Sequence, residues 1–425
     1  MKIEDVWEQY RLISTTTLKP EAIPLDIKVI LIGDPYLYYL LYNLDQEYRE
    51  LFKVKADFDS RMKRTDANVQ KYATFVATLC REEKLLPFDR TGVAKVVELS
   101  SRLAEHQERL SARFSDIADI LREASYWASK SESKIVGGEH VQKAIDEKIY
   151  RTNKIEERLR EMILEGTIIV DTSGEKVGQI NGLAVLDLGD YSFGKASRIT
   201  ARTYAGKAGV VNIERETKMS GKIHEKAILI IAHYLGSRYA VKKPISLSAS
   251  ITFEQLYDMV EGDSATCAEL YALLSSIANV PLRQGIAVTG SMDQNGDVQP
   301  VGGINEKIEG FFDLCRIIGL DGGHGVIIPA RNVRHLMLKK DVVEAVTKGK
   351  FFIYPINKAD EGLEILTGMQ VGELGEDGTY PEGTVNYLVV KRFAEIAEAF
   401  EKKKEKEEEK EEEKKEARSE QEKNK

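Results

Sequence analysis

The chain has 425 residues, of which 42% are hydrophobic and 31% are charged, and its formal net charge is −8. This length accommodates two or three domains, and the apolar fraction excludes a chain that is disordered throughout. The acidic balance argues against nucleic acid as the main partner, because a phosphate-binding surface needs a basic excess. Three widely separated cysteines, Cys80, Cys267 and Cys315, indicate a reducing compartment without a disulfide framework or a thiolate zinc site.

The N-terminus lacks the apolar core of a signal peptide. The longest apolar stretch, near residues 227–232, is much shorter than the ~20 residues that cross a bilayer. We therefore predict a cytoplasmic protein without a membrane partner.

The first segment, residues 1–60, contains one compact β-branched run at 28–32, which ends at Gly33-Asp34-Pro35. This pattern predicts a buried strand that ends in a turn, followed by a helix over 36–52. One clear strand is too little for a complete domain, so we interpret the segment as the edge of a larger one.

Residues 61–166 contain few glycines and prolines, and their apolar residues recur at helical spacing. This pattern predicts an all-helical module. Its last amphipathic helix, over 140–165, is predicted to follow Gly137-Gly138.

Residues 167–400 alternate between strand and helix patterns, which predicts an α+β domain. Helices are expected at 223–238, after Ser264 and from Ile304. Strands are expected at 245–253, 326–328 and 351–354. Hairpins are expected to pair 167–171 with 176–186, 197–204 with 210–216, and 283–290 with 297–301. Residues 401–425 form a charged low-complexity tail, to which we assign no catalytic role.

A first candidate for chemistry is Ser264 in the run Glu261-Gly262-Asp263-Ser264-Ala265. It precedes a helix that is apolar nearly all round and therefore buried. The dipole and free N–H groups at such a helix N-terminus stabilise an oxyanion. Taken alone, however, the pattern favours a serine that merely caps the helix.

A second candidate is Lys307 in Gly302-Gly303-Ile304-Asn305-Glu306-Lys307, which falls within the apolar arc of its helix. The side chain either snorkels to solvent or is buried, and burial gives a lysine the lowered pKa of a general base. Ser264 and Lys307 together indicate a Ser–Lys dyad, in which Lys307 takes the hydroxyl proton and later protonates the leaving amine.

Other catalytic arrangements are less favoured. His224, His233 and His324 have no distinctive partners, which argues against a Ser-His-Asp triad. The sequence contains no HExxH run or close His/Asp cluster, so we predict no metal site.

These motifs resemble those of the Lon proteases, in particular the branch whose active serine lies in a Glu-Gly-Asp-Ser-Ala context. The Gly-Gly-x-x-Glu-Lys motif and its separation of 43 residues from the serine also match, as does Thr289 in Val288-Thr289-Gly290. The resemblance implies that Ser264 and Lys307 are catalytic and that Thr289 hydrogen-bonds the lysine. Asp263 is a candidate for a further polar group, although helix capping also explains an aspartate there.

The resemblance covers about residues 167–368. It implies a Lon-type α+β protease domain that assembles as a hexameric ring around a closed chamber. The segment from Ser246 into Gln255 resembles the one that holds an extended substrate by backbone pairing. Ser250, Thr252, Phe253 and Gln255 are accordingly predicted to contact substrate.

The upstream residues resemble part of an AAA+ ATPase. Residues 28–34 resemble its sensor-1 strand, and 61–166 resemble its small subdomain. The resemblance makes Asp34 and Arg113 candidates for nucleotide sensing, although a solvated helix arginine explains Arg113 equally well. The sequence contains no GxxxxGK[ST] run and no Walker B strand before Ile27.

We therefore expect the chain to need no cofactor of its own, with ATP and Mg²⁺ relevant only if a Walker-containing segment lies upstream. A piece of a longer ATP-dependent protein is favoured over a truncated ATP-free form. The predicted function is a Lon-type serine endopeptidase that degrades unfolded or damaged proteins. The alternatives are an ATP-independent chaperone-like or scaffold ring with weak or no proteolysis, and a structural subunit of a full-length protease.

Overall fold

The computed structural model describes residues 23–206, 208–239 and 247–399. The chain divides into two compact units between Asp59 and Ser60. No helix within the described residues is long and apolar enough to cross a bilayer.

Within its described residues, 23–59, the first unit contains two short helices, α1 (Pro35–Leu44) and α2 (Gln46–Leu51). Asp34 caps α1, because its carboxylate accepts a hydrogen bond from the Tyr36 amide at 2.7 Å. Asp45 separates the two helices and caps α2. The helical prediction for 36–52 is confirmed in two pieces.

The predicted strand at 28–32 is wrong. These residues form no regular structure and are exposed, with Ile32 98% accessible. A strand needs neighbours for its backbone N–H and C=O groups, and no strand among this unit's described residues supplies them.

The second unit begins with a helical module around its own apolar core, which includes Val96, Leu110, Ile117 and Leu121. Its helices are α3 (Asp66–Glu82), α4 (Arg90–Leu103), α5 (Phe114–Lys130), α6 (Gly138–Thr152) and α7 (Lys154–Leu164).

Two details of the module differ from the prediction. Strands β1 (Arg61–Lys63) and β2 (Arg109–Ser111) form a small antiparallel sheet, so the module is not all-helical. The predicted last helix is divided at Asn153, which ends α6 and precedes α7.

The remaining part of the second unit is built on a seven-stranded sheet with the order β13-β12-β9-β4-β5-β7-β6. Its strands are β4 (Gln179–Asp187), β5 (Ser192–Ala205), β6 (Gly209–Asn212), β7 (Leu247–Phe253), β9 (Ile286–Val288), β12 (His324–Pro329) and β13 (Phe351–Ile356). Only β5 runs antiparallel to its neighbours. Strand β3 (Glu175–Val177) pairs separately with β8 (Pro281–Arg283).

Helices cover both faces of this sheet, which makes the domain a mixed helix and sheet fold. They are α8 (Ile213–Glu216), α9 (Lys222–Tyr239), α10 (Thr266–Ala278), α11 (Ile304–Ile318), α12 (Lys340–Thr347), α13 (Ala359–Thr367) and α14 (385–399). The core on one face includes Leu270 of α10, and the core on the other includes Ile308 of α11. The helices predicted at 223–238, after Ser264 and from Ile304 are confirmed.

The hairpin predictions are largely wrong. Residues 167–171 form no strand, and β4 pairs instead with β5. Strands β5 and β6 both pair with β7 rather than with each other. The predicted pairing of 283–290 with 297–301 is also wrong, because the turn at 294–296 joins the short strands β10 (Ser291–Met292) and β11 (Val298–Gln299). The charged tail at 401–425 and residues 245 and 246 lie outside the described residues.

The parallel strands end at one edge of the sheet, and this edge positions the candidate site. Strand β9 ends at Val288, directly before Thr289 and Gly290. The Cys267 amide at the start of α10 donates to the Gly290 carbonyl at 3.0 Å, so this helix begins at the same edge. Carboxyl ends of parallel strands and helix N-termini together form the usual ligand-binding edge of such sheets.

Candidate active site

Ser264 lies in the turn before α10 and is partly exposed. The residue that caps α10 is Ala265, and no side chain makes a capping hydrogen bond there. The cap interpretation of Ser264 is therefore wrong. Its hydroxyl makes no hydrogen bond to any described residue, which leaves the oxygen available to a substrate.

Thr289 connects the two candidate catalytic residues. Its hydroxyl donates to the Ser264 carbonyl at 3.2 Å and accepts from Lys307 Nζ at 3.1 Å. The Gly290 amide also donates to the Ser264 carbonyl, at 2.8 Å. The end of β9 therefore holds both the backbone of Ser264 and the amine of Lys307.

Lys307 is buried, with only 4% of its surface accessible. The buried alternative is correct and the snorkelling one is wrong. Burial lowers the pKa of Lys307 from 10.5 to about 8, against the opposing effect of the Asp263 and Glu306 carboxylates. With this pKa, about 10–20% of the amine is neutral near physiological pH, whereas an ordinary lysine is almost entirely protonated there.

The position of Lys307 depends on a close approach between α11 and β5. A Cβ on Gly194 would lie 2.0 Å from the Glu306 carbonyl, and one on Gly310 would lie 2.1 Å from the Gly194 carbonyl. Only glycine fits at both positions. The first turn of α11 consequently packs directly on the strand.

Asp263 accepts a hydrogen bond from Ser291 Oγ at 2.8 Å, and its backbone carbonyl accepts from the Thr266 amide at 3.1 Å. Its carboxylate is thereby fixed next to Ser264 and faces Lys307. Ser291 was not predicted, although it lies two residues beyond Thr289, a spacing that places two side chains of an extended segment on the same side.

A groove of about 280 Å³ opens at Ser264. Phe253 lines it, while its predicted contact with substrate stays a prediction, and the segment 256–262 forms another wall that was not predicted. The apolar lining residues include Leu183, Val185, Leu186, Leu256 and Met259.

The prediction that the strand before Gln255 holds substrate by backbone pairing is wrong. Strand β7 is paired on both edges, with β5 along its whole length and with β6 from Ser248 to Ile251. The Phe253 amide donates to Glu214 at 2.7 Å, so this backbone group is also occupied.

The other predicted substrate residues have partners within the fold. Ser250 lies in the doubly paired part of β7. Thr252 Oγ1 donates to Glu214 at 2.7 Å, and Gln255 bonds the backbone at Ile169 and Thr167. Of the four, only Phe253 lines the groove.

The two predicted nucleotide-sensing residues lie in different compact units. Asp34 caps α1, and Arg113 is exposed at the N-terminus of α5. Neither location tests the predicted role in nucleotide sensing, which stays a prediction for both residues. Among the described residues, no group of three or more His, Cys, Asp and Glu side chains is arranged to hold a metal ion.

Comparison with known families matches three parts of the chain. Residues 136–368 match the Lon protease (S16) C-terminal proteolytic domain. Residues 87–151 match the AAA+ ATPase LID domain of archaeal LonB, and residues 1–59 match the LonB-like AAA domain.

Curated relatives carry the same family name. A Lon protease homolog of Escherichia coli (strain K12) is 36% identical over 82% of the chain and 59% of its own length. One of Haemophilus influenzae (strain ATCC 51907 / DSM 11121 / KW20 / Rd) is 33% identical over 89% and 63%. The archaeal Lon protease of Archaeoglobus fulgidus is 28% identical over 83% and 54%.

The chain spans about 60% of the length of the first two relatives. The match to the proteolytic domain alone nevertheless covers more than half of the chain. The chain therefore belongs to the Lon protease (S16) family.

Proposed function

We propose that this chain is a serine endopeptidase that cleaves unfolded polypeptides with Ser264 as nucleophile and Lys307 as general base. The observation that carries the proposal is the buried amine of Lys307, bonded to the same Thr289 hydroxyl that holds the Ser264 backbone. A general base must lose its proton before it can accept another, and burial brings the pKa of Lys307 close enough to working pH for a neutral fraction to be present.

In the first step, the Ser264 hydroxyl attacks the scissile carbonyl carbon while neutral Lys307 accepts the hydroxyl proton. The resulting ammonium then protonates the leaving amine as the C–N bond breaks, which leaves an ester on Ser264. In the second step, Lys307 takes a proton from water, whose oxygen attacks the ester. Return of that proton to Ser264 releases the carboxylic acid product.

The amide groups before α10 are suited to stabilise the oxyanion. The Thr266 and Cys267 amides donate to the carbonyls of Asp263 and Gly290 and are therefore occupied. The amides of Ser264 and Ala265 donate to no acceptor among the described residues. They lie at the positive end of the α10 dipole, where a developing negative charge is favoured.

The apolar groove beside Ser264 supports binding of an extended, unfolded segment with an apolar side chain. From its membership of the family, we also propose that the chain assembles as a homo-oligomer, with a hexameric ring around a closed chamber. Size measurement by light scattering tests it, and a monomer active at all concentrations would contradict it.

ATP dependence is proposed only for a protein that supplies a phosphate-binding loop. The residues of this chain do not form a phosphate-binding loop by themselves, because the sequence contains no GxxxxGK[ST] run. The cleavage steps proposed for Ser264 and Lys307 use residues of this chain alone.

The decisive experiment compares Ser264→Ala and Lys307→Ala with the parent chain on an unfolded protein and on a short quenched-fluorescence peptide. Each variant is expected to lose cleavage while keeping its circular dichroism spectrum. Ser237→Ala and Lys358→Ala serve as matched controls, because neither residue lies in the site.

Full activity in either site variant would refute the dyad. Absence of hydrolysis by the parent, together with protection of unfolded proteins from aggregation that survives Ser264→Ala, would support a chaperone-like ring instead.

A further inference from the structure

A set of long-range contacts joins the helical module to α11. Arg102, at the end of α4, binds Glu309 of α11 in bidentate fashion, with N···O distances of 2.5 and 2.7 Å. The same guanidinium donates to the Met337 carbonyl at 2.8 Å. Bidentate arginine–carboxylate pairs fix orientation as well as distance, so the end of α4 and the side of α11 are held in one geometry.

The segment 333–339 lies between the module and α11 and contacts both. On the module side, Gln107 Nε2 donates to the Val333 and Leu336 carbonyls at 3.1 Å. On the other side, Asn305 accepts from the Met337 amide at 2.6 Å. The first turn of α11 is therefore connected to the module through backbone as well as side chains.

Glu309 is the centre of this network. Its side chain is only 5% exposed, and besides Arg102 it accepts from the Lys339 amide at 2.9 Å. Lys339 Nζ lies 3.7 Å from the same carboxylate. A buried carboxylate with this many donors is costly to leave unpaired, which makes Arg102 the residue on which the arrangement depends.

Lys307 lies on the same helix, two residues before Glu309, and points in the opposite direction, toward Thr289. Helix α11 is thus held by Thr289 on one side and by Arg102 on the other. A shift of the module would move Glu309 and, with it, the turn that carries Lys307.

We propose that Arg102 is a positioning residue that couples the placement of the helical module to Lys307 through Glu309. The proposal rests on the proposed function of Lys307 as general base. It makes the position of the end of α4 a determinant of the position of the helix that carries Lys307.

Several charged groups face this network and Lys307. Glu306, which precedes Lys307, lies 3.8 Å from Arg102, and Asp263 faces Lys307 from the α10 side. The remaining groups near Arg102, Glu306 or Glu309 are Glu105, Tyr191, Lys339 and, beside Lys339, Asp313.

Arg102→Met removes a cation from this set, whereas Glu309→Gln removes an anion. The two variants should consequently move the proton affinity of Lys307 in opposite directions.

The test measures kcat and KM for a short peptide across pH in the 425-residue chain. Arg102→Met is expected to lower kcat about tenfold, change KM less than about twofold, and move the ascending limb of the pH profile up by about half a pH unit. Glu309→Gln is expected to move the same limb down. Arg102→Lys keeps the positive charge but cannot make the bidentate pair with Glu309. The limb should therefore stay in place, and kcat should lie between those of Arg102→Met and the parent chain.

The matched control is Arg122→Met, which removes a bidentate pair with Glu83 inside the same module, where the hydrogen-bond partners of Arg122 are Glu83 and Asp119 and none belongs to α11. Its kcat and pH profile should equal those of the parent. An unchanged pH limb in Arg102→Met, a shift in the same direction as in Glu309→Gln, or an equal effect of Arg122→Met would overturn the proposal. If Arg102→Met does not fold, the downward shift in Glu309→Gln and the unshifted limb in Arg102→Lys decide the question.

Ser264→Ala and Lys307→Ala in the same assay separate the two proposals. If either keeps activity, the dyad is wrong whatever Arg102 does. If both are inactive and Arg102→Met behaves as the parent, only the coupling fails.

Discussion

The two faces of the seven-stranded sheet both bury ionisable side chains, but they treat them differently. On the α11 face, Glu309 is nearly inaccessible and is paired with Arg102. On the α10 face, Glu269 is fully inaccessible, and neither of its carboxyl oxygens has a hydrogen-bond partner among the described residues. Two carboxyl groups at similar depth therefore differ in their partners, and a buried carboxyl without donors is the one that carries an uncompensated desolvation cost.

The group nearest Glu269 does not compensate it. His224 Nε2 lies 3.5 Å from Glu269, but burial lowers the pKa of His224 and so favours the neutral imidazole. Burial, together with the nearby Glu214 carboxylate, raises the pKa of Glu269 to about 8. Glu269 and Lys307 thus share a property, since burial without an adequate counter-ion shifts the pKa of each toward its neutral form.

The largest expected effect is that of Lys307→Met, which replaces the amine by an apolar chain of similar length. Cleavage of a short peptide should fall at least about 10³-fold, since the base is lost. Stability should rise by about 1–2 kcal/mol at pH 7, because the desolvation cost of the ammonium disappears.

The pH dependence of that gain follows from the lowered pKa of Lys307. Between about pH 8 and 10.5 the folded state binds fewer protons than the unfolded state, so the parent loses stability as pH falls through this range. Thermal unfolding at pH 7 and pH 10 checks this, with Lys358→Met as control. A gain that does not shrink at pH 10 would contradict the desolvated amine.

The pH profile of the parent chain gives the next largest effect. Below about pH 8, kcat/KM for a short peptide should rise about tenfold per pH unit and then level off, as the free chain loses the proton from Lys307. Glu269→Gln should leave this limb in place, because Glu269 lies on the other face of the sheet. If Glu269→Gln shifts the limb, the limb reports the ionisation of Glu269 on the α10 face and not that of Lys307.

Glu269→Gln should itself change the pH dependence of stability. The pKa of Glu269 is about 4.5 in the unfolded chain and is raised to about 8 in the folded one. The contribution of Glu269 to the free energy of unfolding is therefore fully present below about pH 4.5 and is lost as pH rises through about 8. The variant cannot ionise, so it should be more stable than the parent by about 2 kcal/mol at pH 9 and nearly equal at pH 5.

Chemical denaturation at these two pH values measures the difference. Glu98→Gln, an exposed residue paired with Lys95, is the matched control and should show no such divergence. Equal stability of Glu269→Gln and the parent at pH 9 would mean that the buried carboxyl finds a partner.

The sequence predicts the helix that follows Ser264 and the helix that carries Lys307, but it does not predict the contacts between residues that are far apart in the chain. The apolar arc around Lys307 and the apolar helix after Ser264 are periodic features, and the structure has helices at both. The Arg102–Glu309 pair joins residues 207 positions apart, and no local pattern indicates it. The failed strand prediction at 28–32 has a related cause, since a β-branched run specifies a strand only when neighbouring strands are present to pair with it.

The wrong hairpins illustrate the same limit. Thr172-Ser173-Gly174 has turn chemistry, but the strand after it, β3, pairs with β8, which lies about a hundred residues further along the chain. The substrate-strand prediction failed because sequence does not show whether a strand is an edge strand. Strand β7 has the right composition and yet lies between β5 and β6.

The smallest expected effect concerns Asp263, the carboxylate that opposes the lowered pKa of Lys307. Asp263→Asn removes this charge, but its amide oxygen can still accept the hydrogen bond from Ser291. The ascending limb of kcat/KM should therefore move down by about half a pH unit, so that cleavage at pH 7 rises about threefold while the plateau near pH 9 stays unchanged. Ser291→Ala is the complementary variant, since it frees the carboxylate without removing its charge and should leave the limb near its parental position. A lower plateau in Asp263→Asn, without a shift of the limb, would mean that Asp263 orients Ser264 rather than setting the charge that Lys307 experiences.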